Sequence, residues 1–308
     1  MSTPDAAAGT LLGLACGDAL GRPVEFRSAQ WIADTHGTVT EMLGHGTHGK
    51  PPGTVTDDTD LALCLARSLV ERERFDGQDV ADRFVAWYED GPFDVGLMTA
   101  DAITEYRSGT SWRDAGREVW QQRPEGSNAG NGSVMRCAPH ALAFTDDPDT
   151  LATVSRQSSA ITHYDPRCTY GCAVLNLTIA GYLRGEDDPL SSALDRVEGD
   201  APDELVETLR LVPDLVDDGH LESSGYVVHT LQTALYDAIT ADSAEEAIDT
   251  AVNRGDDTDT VGAVTGALAG ARFGVDALPD RWLDTVEYRE DLELLSRALV
   301  SSEFDASV

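Results

Sequence analysis

Residues 252–274 read VNRGDDTDTVGAVTGALAGARFG, an acidic cluster followed directly by a run of small residues. Three aspartates and two threonines occupy positions 256–260. The Gly, Ala, Val, Thr and Leu residues that follow have the apolar spacing of a helix. Because small side chains let a helix pack closely against a neighbour, we expect a buried central helix over 259–272. Such a helix would hold its acidic first turn rigidly.

The same helical periodicity recurs along the chain, whereas alternating strand patterns are scarce. The predicted helices cover 5–20, 58–73, 79–89, 94–107, 149–160, 166–183, 202–217, 226–239, 243–252, 259–272 and 288–300. Residues 31–43, WIADTHGTVTEML, are the one candidate for a short β-hairpin. No linker rich in Pro, Gly and Ser divides the chain, so the sequence predicts one all-α domain over residues 1–308.

The composition indicates a globular protein adapted to salt. The chain has 308 residues, 41% of them hydrophobic, a formal net charge of -33 and a single lysine, Lys50. The acids are spread over the whole chain, and such a surface stays soluble when salt screens its self-repulsion. We therefore expect the protein to function in the cytoplasm of a halophilic organism. The absence of a basic patch argues against nucleic acid as a partner, and no segment is apolar and long enough to predict a membrane span.

The five cysteines favour the same compartment. Their number is odd, they form no CxxC motif, and each lies in an apolar or helical stretch. These features predict buried, reduced thiols.

Two clusters of Thr and Asp stand at the starts of predicted helices. The first comprises Thr56, Asp57 and Asp58, and the second Asp256, Asp257, Asp259 and Thr260. Helix capping accounts for one or two acids in each cluster. Adjacent carboxylates repel one another, and a divalent cation with oxygen ligands, Mg²⁺ or Mn²⁺, would relieve that repulsion. Both interpretations remain open from the residues alone.

Three further segments contain candidate functional residues. In GLACGDALGRPVEF (13–26), Glu25 follows a predicted helix end, where it is either functional or an ordinary solvated glutamate. The segment NAGNGSVMRCAP (128–139) is either a plain loop or a glycine-rich cradle for phosphate. In ITHYDPRC (161–168), His163 precedes a turn and is either structural or catalytic.

Taken in order, these motifs resemble the ADP-ribosylglycohydrolase family, especially the bacterial dinitrogenase-reductase-activating glycohydrolases. The matching segments are GLACGDALGRPVEF, GTVTDDTDLAL, GNGSVMRCAP, ITHYDPRC, SSGYVVHTLQTALY and RGDDTDTVGAVTGALAGARFG, which span most of the chain. The paired T-D-D and D-x-D-T motifs are specific in combination. The resemblance implies an all-α orthogonal helical bundle, acting as a monomer, with a binuclear Mg²⁺ or Mn²⁺ site at one end.

The resemblance also assigns roles to residues. The implied metal ligands are Thr56, Asp57, Asp58, Asp257, Asp259 and Thr260. The implied catalytic residues are Asp57 or Asp58 as general base and Glu25 as the mobile glutamate near the metals. The implied substrate-binding residues are Gly130, Asn131, Gly132, Ser133, Met135 and His163, with Tyr226 as a looser match.

The implied reaction is metal-dependent removal of ADP-ribose from a protein side chain. Arginine is the favoured acceptor, ahead of serine through an O-glycosidic bond and of ADP-ribosylated small molecules. From another class, an aspartate-nucleophile phosphatase would need a strand before DTDTV (257–261) and a downstream lysine, but Lys50 lies far upstream. An inactive ADP-ribose-binding protein is expected to have lost metal ligands, whereas all six candidates are present.

Overall fold

The computed structural model describes residues 3–124, 126–216 and 218–306. These residues form helices and loops with isolated β-bridges and no named strand, so the all-α prediction is confirmed. The helices are α1 (Thr3–Gly21), α2 (Ala29–His36), α3 (Asp57–Arg72), α4 (Gly77–Glu89), α5 (Leu97–Arg107), α6 (Ala115–Gln122), α7 (Pro139–Ala143), α8 (Pro148–Ala160), α9 (Pro166–Arg184), α10 (Pro189–Val197), α11 (Asp203–Leu209), α12 (Val227–Thr240), α13 (Ala244–Val252), α14 (Thr258–Phe273), α15 (Asp280–Leu283) and α16 (Arg289–Ser301).

Helices α1 and α14 form the central pair of the fold and touch backbone to backbone. Glycines face glycines along the contact: Gly9 and Gly270, Gly13 and Gly266, Gly17 and Gly262. A Cβ atom on Gly266 would lie 2.0 Å from the carbonyl oxygen of Gly13, so no larger residue fits there without a shift of the backbone. The expected close-packed central helix is therefore present, and its partner is the N-terminal helix.

The other helices enclose this pair. Helices α12 and α13 pack against α14, α16 packs against α1, and α8 and α10 pack on α9. A second apolar cluster joins α3, α4 and α5 through side chains such as Leu65, Phe84 and Ile103. Despite the apolar character of α1 and α14, the described part of the chain contains no helix with the length and hydropathy of a membrane span.

The hairpin predicted over 31–43 is wrong. Residues 29–36 form α2, where the Ser28 side chain caps the helix by accepting from the backbone N–H of Trp31, and Gly37 ends it with a φ of 73°. After α2, the backbone of Val39 pairs with a side chain: the Asn253 amide donates to the Val39 carbonyl oxygen and accepts from the Val39 N–H. A single asparagine thus takes the place of the partner strand.

The remaining differences concern helix lengths and short helices. The helix predicted over 202–217 ends at Leu209, because Pro213 cannot continue a helix and also restricts the residue before it. Helices α6, α7, α10 and α15 were not predicted, since each is only four to nine residues long and bears a short apolar pattern. The cysteines are unpaired, and four of the five are buried, as expected.

Candidate metal and substrate site

The first acidic cluster lies at the start of α3. Thr56 is the N-cap residue, and its hydroxyl oxygen accepts from the backbone N–H of Asp58 at 3.4 Å. Asp57 and Asp58 occupy the first turn, where the helix dipole favours negative charge. Asp57 Oδ2 also accepts from the backbone N–H of Gly96 at 3.1 Å, so the loop before α5 orients this carboxylate.

The second cluster lies at the start of α14, directly opposite the first. Asp257 is the N-cap residue, and its Oδ2 accepts from the Asn131 amide at 2.8 Å. The hydroxyl group of Thr260 donates to Asp58 Oδ2 at 3.4 Å, which connects two residues 202 positions apart. Side-chain capping accounts for Thr56 at the start of α3, whereas Asp257 makes no cap hydrogen bond to α14. The α1–α14 contact and the packing of α3 bring both clusters to one place.

Burial makes this cluster electrostatically unfavourable without a counter-charge. It raises the pKa of Asp57 to about 7, and the pKa values of Asp58 and Asp259 lie well above the usual range. Repulsion from the other carboxylates adds to burial in each case. Asp58 Oδ1 is buried and has no hydrogen-bond partner in the described residues. Hard oxygen ligands, mutual repulsion and a free buried carboxylate oxygen all fit a divalent cation.

Glu25 belongs to the same group of acids. One carboxylate oxygen each from Glu25, Asp257 and Asp259 lie within 4.8 Å of one another. Burial, followed by repulsion from Asp94, raises the pKa of Glu25 to about 9. Its Oε2 lies 2.5 Å from His48 Nε2, so the 44–53 loop holds the glutamate in place.

The turn that carries Glu25 is joined to the turn that carries Asp257. The Phe26 N–H donates to the Asp256 carbonyl oxygen, and the Asp256 N–H donates to the Arg27 carbonyl oxygen, both at 2.7 Å. Phe26 and Asp256 have φ values of 62° and 60°, which are rare for residues other than glycine. These paired bonds maintain the strained backbone and set the spacing between Glu25 and Asp257.

A cavity of about 470 Å³ opens over the acids. Its lining residues include Glu25, Phe26, Asp57, Asp58, Asp94, Leu97, Met98, Thr99, Gly130, Asn131, Gly132, Met135, His163, Asp257, Asp259 and Thr260. A Cβ atom on Gly132 would lie 2.8 Å from His163 Cε1 and 3.0 Å from His163 Nε2. Glycine at this position therefore leaves open the space in front of the imidazole ring.

Two predicted substrate residues lie outside the lining of this cavity. Ser133 is buried behind the wall, where its hydroxyl oxygen accepts from Ser159 at 2.9 Å. Tyr226 forms a backbone bridge with Gly130, and its hydroxyl group donates to Glu204 at 2.7 Å. Their proposed contacts with substrate stay predictions.

Several site residues were missed by the sequence analysis. Asp18 is fully buried in α1 and accepts from the backbone N–H groups of Thr56 and Thr59 at 3.0 and 3.2 Å, so it holds the first turn of α3 in position. Asp94 faces the same cavity. Asp18 could have been noticed as a lone acid within an apolar helix, whereas Asp94 lies in a loop without a recognisable pattern.

The sequence profile of the family described as ADP-ribosylglycohydrolase matches residues 1–306 of the chain. The chain belongs to the ADP-ribosylglycohydrolase family. It is similar to the ADP-ribosyl-[dinitrogen reductase] glycohydrolase of Rhodospirillum rubrum, with 34% identity over 95% of this chain and 94% of the relative. A solved structure titled ADP-ribosylglycohydrolase-related protein complex superimposes with a TM-score of 0.82 and 35% identity, over 98% of this chain and 99% of the other.

Relatives in the ADP-ribosylglycohydrolase family differ in their named substrates. The ADP-ribosylarginine hydrolase Tri1 of Pseudomonas putida is 33% identical over 96% of this chain and 78% of its own length. Human ADP-ribosylhydrolase ARH3 is 27% identical over 94% of this chain and 92% of its own. The phosphatase alternative finds no support, because 257–261 opens α14 and follows helix α13, with no strand before it in the described part of the chain.

Proposed function

We propose that the protein is a metal-dependent hydrolase that cleaves the N-glycosidic bond between ADP-ribose and an arginine side chain of a protein. The observation that carries the proposal is the meeting of two acidic helix starts, α3 and α14, with a glycine-rich loop around one cavity. Sequence similarity to an ADP-ribosyl-[dinitrogen reductase] glycohydrolase and to an ADP-ribosylarginine hydrolase supports the same reaction.

The charge of the cavity favours arginine as the acceptor. Among the described residues, its lining contains six carboxylates and neither lysine nor arginine. An ADP-ribosylated arginine keeps a cationic guanidinium group, which acidic walls attract, whereas an ADP-ribosylated serine carries no charge on its acceptor side chain. Serine is therefore the second candidate acceptor, and the similarity to ARH3 is its support.

The six oxygen-bearing residues at the two helix starts would hold two divalent cations, Mg²⁺ or Mn²⁺. These ligands are Thr56, Asp57, Asp58, Asp257, Asp259 and Thr260. The cations, when bound, would supply Lewis-acid activation of water and orientation of the ribose hydroxyl groups. The free Oδ1 of Asp58 and the mutual repulsion of the acids support this assignment.

The protein's own groups account for proton transfer and orientation. Asp57 or Asp58 accepts a proton from the attacking water as general base, since both carboxylates line the cavity. The carboxylates stabilise the positive charge that develops on the ribose in an oxocarbenium-like transition state. Gly130 and Gly132 leave space for the substrate, and Glu25, held by His48, lines the same cavity.

The family resemblance suggests a monomer, and the composition suggests a salt-rich environment. We propose a monomeric, single-domain enzyme of a halophilic cytoplasm whose partner is an ADP-ribosylated protein rather than nucleic acid. The net charge of -33, distributed over the chain, supports activity at high salt concentration.

The decisive experiment compares two substrates at high salt concentration. We expect release of ADP-ribose from an ADP-ribosyl-arginine substrate with Mn²⁺ or Mg²⁺, slower release from an ADP-ribosyl-serine peptide, and none with a chelator. Asp259→Asn is the negative control and should release no ADP-ribose, because it removes one negative charge from a proposed metal ligand and leaves the side-chain volume nearly unchanged. Faster cleavage of the serine peptide would overturn the acceptor, and full activity in chelator would overturn the metal site.

A further inference from the structure

A chain of buried hydrogen bonds leads from Arg136 to the imidazole ring of His163. Arg136 Nη2 donates to the hydroxyl oxygen of Thr162 at 2.6 Å, and this oxygen lies 2.8 Å from His163 Nδ1. Arg136 Nη1 donates to the carbonyl oxygen of Gly132 at 2.6 Å, so one guanidinium group contacts the glycine loop directly and is linked to the histidine through Thr162. All three side chains are at most 2% exposed.

The direction of the hydrogen bonds from Arg136 to His163 follows from which groups carry a donor proton. A guanidinium group has donors only, so the Thr162 oxygen must act as acceptor toward Arg136. The hydroxyl proton then needs an acceptor of its own, and within the described ranges His163 Nδ1 is the one within reach. A nitrogen that accepts this proton is unprotonated, and therefore the ring proton of the neutral imidazole sits on Nε2.

The opposite nitrogen faces the cavity. His163 Nε2 lies 3.5 Å from the position of a Cβ atom on Gly130 and 3.0 Å from that on Gly132, in the space that the two glycines leave open. It has no hydrogen-bond partner among the described residues, whereas Nδ1 on the other side of the ring is paired with the Thr162 hydroxyl group. Burial and the nearby Arg136 lower the pKa of His163 to about 3, so the ring is neutral at physiological pH.

We infer that Arg136 and Thr162 are positioning residues that fix His163 as the Nε2–H tautomer, so that the ring presents a hydrogen-bond donor to an oxygen atom of ADP-ribose. The ligand part of this inference rests on the function proposed above, whereas the tautomer part stands on the protein alone. A fixed donor selects oxygen atoms with free lone pairs, such as those of a phosphate or a ribose hydroxyl group.

The test combines a spectroscopic and a binding measurement. Two-dimensional ¹H–¹⁵N spectra of the histidine side chains, assigned with His163→Gln, report which ring nitrogen carries the proton. Calorimetry with ADP-ribose is then performed on wild type, Thr162→Val and Thr162→Ser. We expect Nε2 to be protonated in the wild type. Thr162→Val should bind ADP-ribose about ten-fold more weakly, and Thr162→Ser should show both the protonated Nε2 and the affinity of the wild type.

The matched control is Thr178→Val. Thr178 is equally buried, but its hydroxyl group donates to the backbone oxygen of Val174 within α9, away from the cavity. This variant should bind ADP-ribose like the wild type. Protonated Nδ1 in the wild-type protein overturns the inference even if Thr162→Val does not fold. Wild-type affinity in folded Thr162→Val also overturns it. If the wild type does not bind ADP-ribose but has protonated Nε2, the ligand assignment and the proposed function fail while the tautomer assignment stands.

Discussion

Replacing Gly266 with alanine tests whether the α1–α14 contact is as close as the structure indicates. The added Cβ atom would lie 2.0 Å from the Gly13 carbonyl oxygen and 2.5 Å from the Gly13 carbonyl carbon. Ordinary contacts of a Cβ atom begin at 3.4 Å, so the approach to the oxygen is short by about 1.4 Å. Both atoms of Gly13 belong to the backbone, so no rotamer change can relieve the overlap and the helices must separate.

The expected cost combines two opposing effects. Overpacking in a core costs about 3 kcal/mol when no side chain can move aside. Alanine recovers about 1 kcal/mol because it is the better helix former. We therefore expect the free energy of unfolding to fall by about 2 kcal/mol, which lowers the melting temperature of a 308-residue chain by about 3 °C.

The assay is urea denaturation at fixed salt, with Gly171→Ala as the matched control. Gly171 lies within α9 and is also buried, but a Cβ atom there would meet Leu231 Cδ1 at 2.8 Å, the end of a flexible side chain that can rotate away. Gly171→Ala should therefore lower the free energy of unfolding by at most about 1 kcal/mol. Gly266→Ala with wild-type stability would refute the close helix contact.

Three further outcomes are expected. In Asp58→Asn, calorimetry should show loss of Mn²⁺ binding. The metal-free variant should melt no lower than wild type, because one of the repelling buried charges is gone. Retained Mn²⁺ binding would show that Asp58 is not a metal ligand. In Gly132→Ala, ADP-ribose affinity should fall at least ten-fold, since the new Cβ meets His163 Cε1 at 2.8 Å; unchanged affinity would place the ligand elsewhere. Raising the KCl concentration from about 0.1 M, where the Debye length is about 10 Å, to about 2 M should raise the melting temperature; a decrease would argue against salt adaptation.

Much of the fold could be predicted because it is specified locally. The start of α3 follows from the cap residue Thr56, and the course of α14 follows from its apolar spacing. The hairpin prediction for residues 31–43 failed for a physical reason. The backbone of Val39 is hydrogen-bonded to the Asn253 side chain, 214 positions away, and not to a neighbouring strand. No local pattern encodes such a pairing.

The site was predictable where several acids or glycines stand together and not where one residue acts alone. The two Asp/Thr clusters and the GNGS loop are recognisable in the sequence, and the structure brings them to one cavity. Asp18 and His48 act through contacts with Thr56 and Glu25 that depend on the tertiary fold. A single aspartate or histidine has no sequence signal for such a partner.

The pairing of α1 with α14 also has a consequence for biosynthesis. Helix α1 is synthesised well before its partner surface, which lies at residues 258–273. Contacts of such long sequence separation form late, and until then the apolar α1 is exposed to aggregation. The two acidic helix starts therefore meet only after α14 has been synthesised, so a chain truncated before α14 would contain the acidic start of α3 without the cluster that faces it.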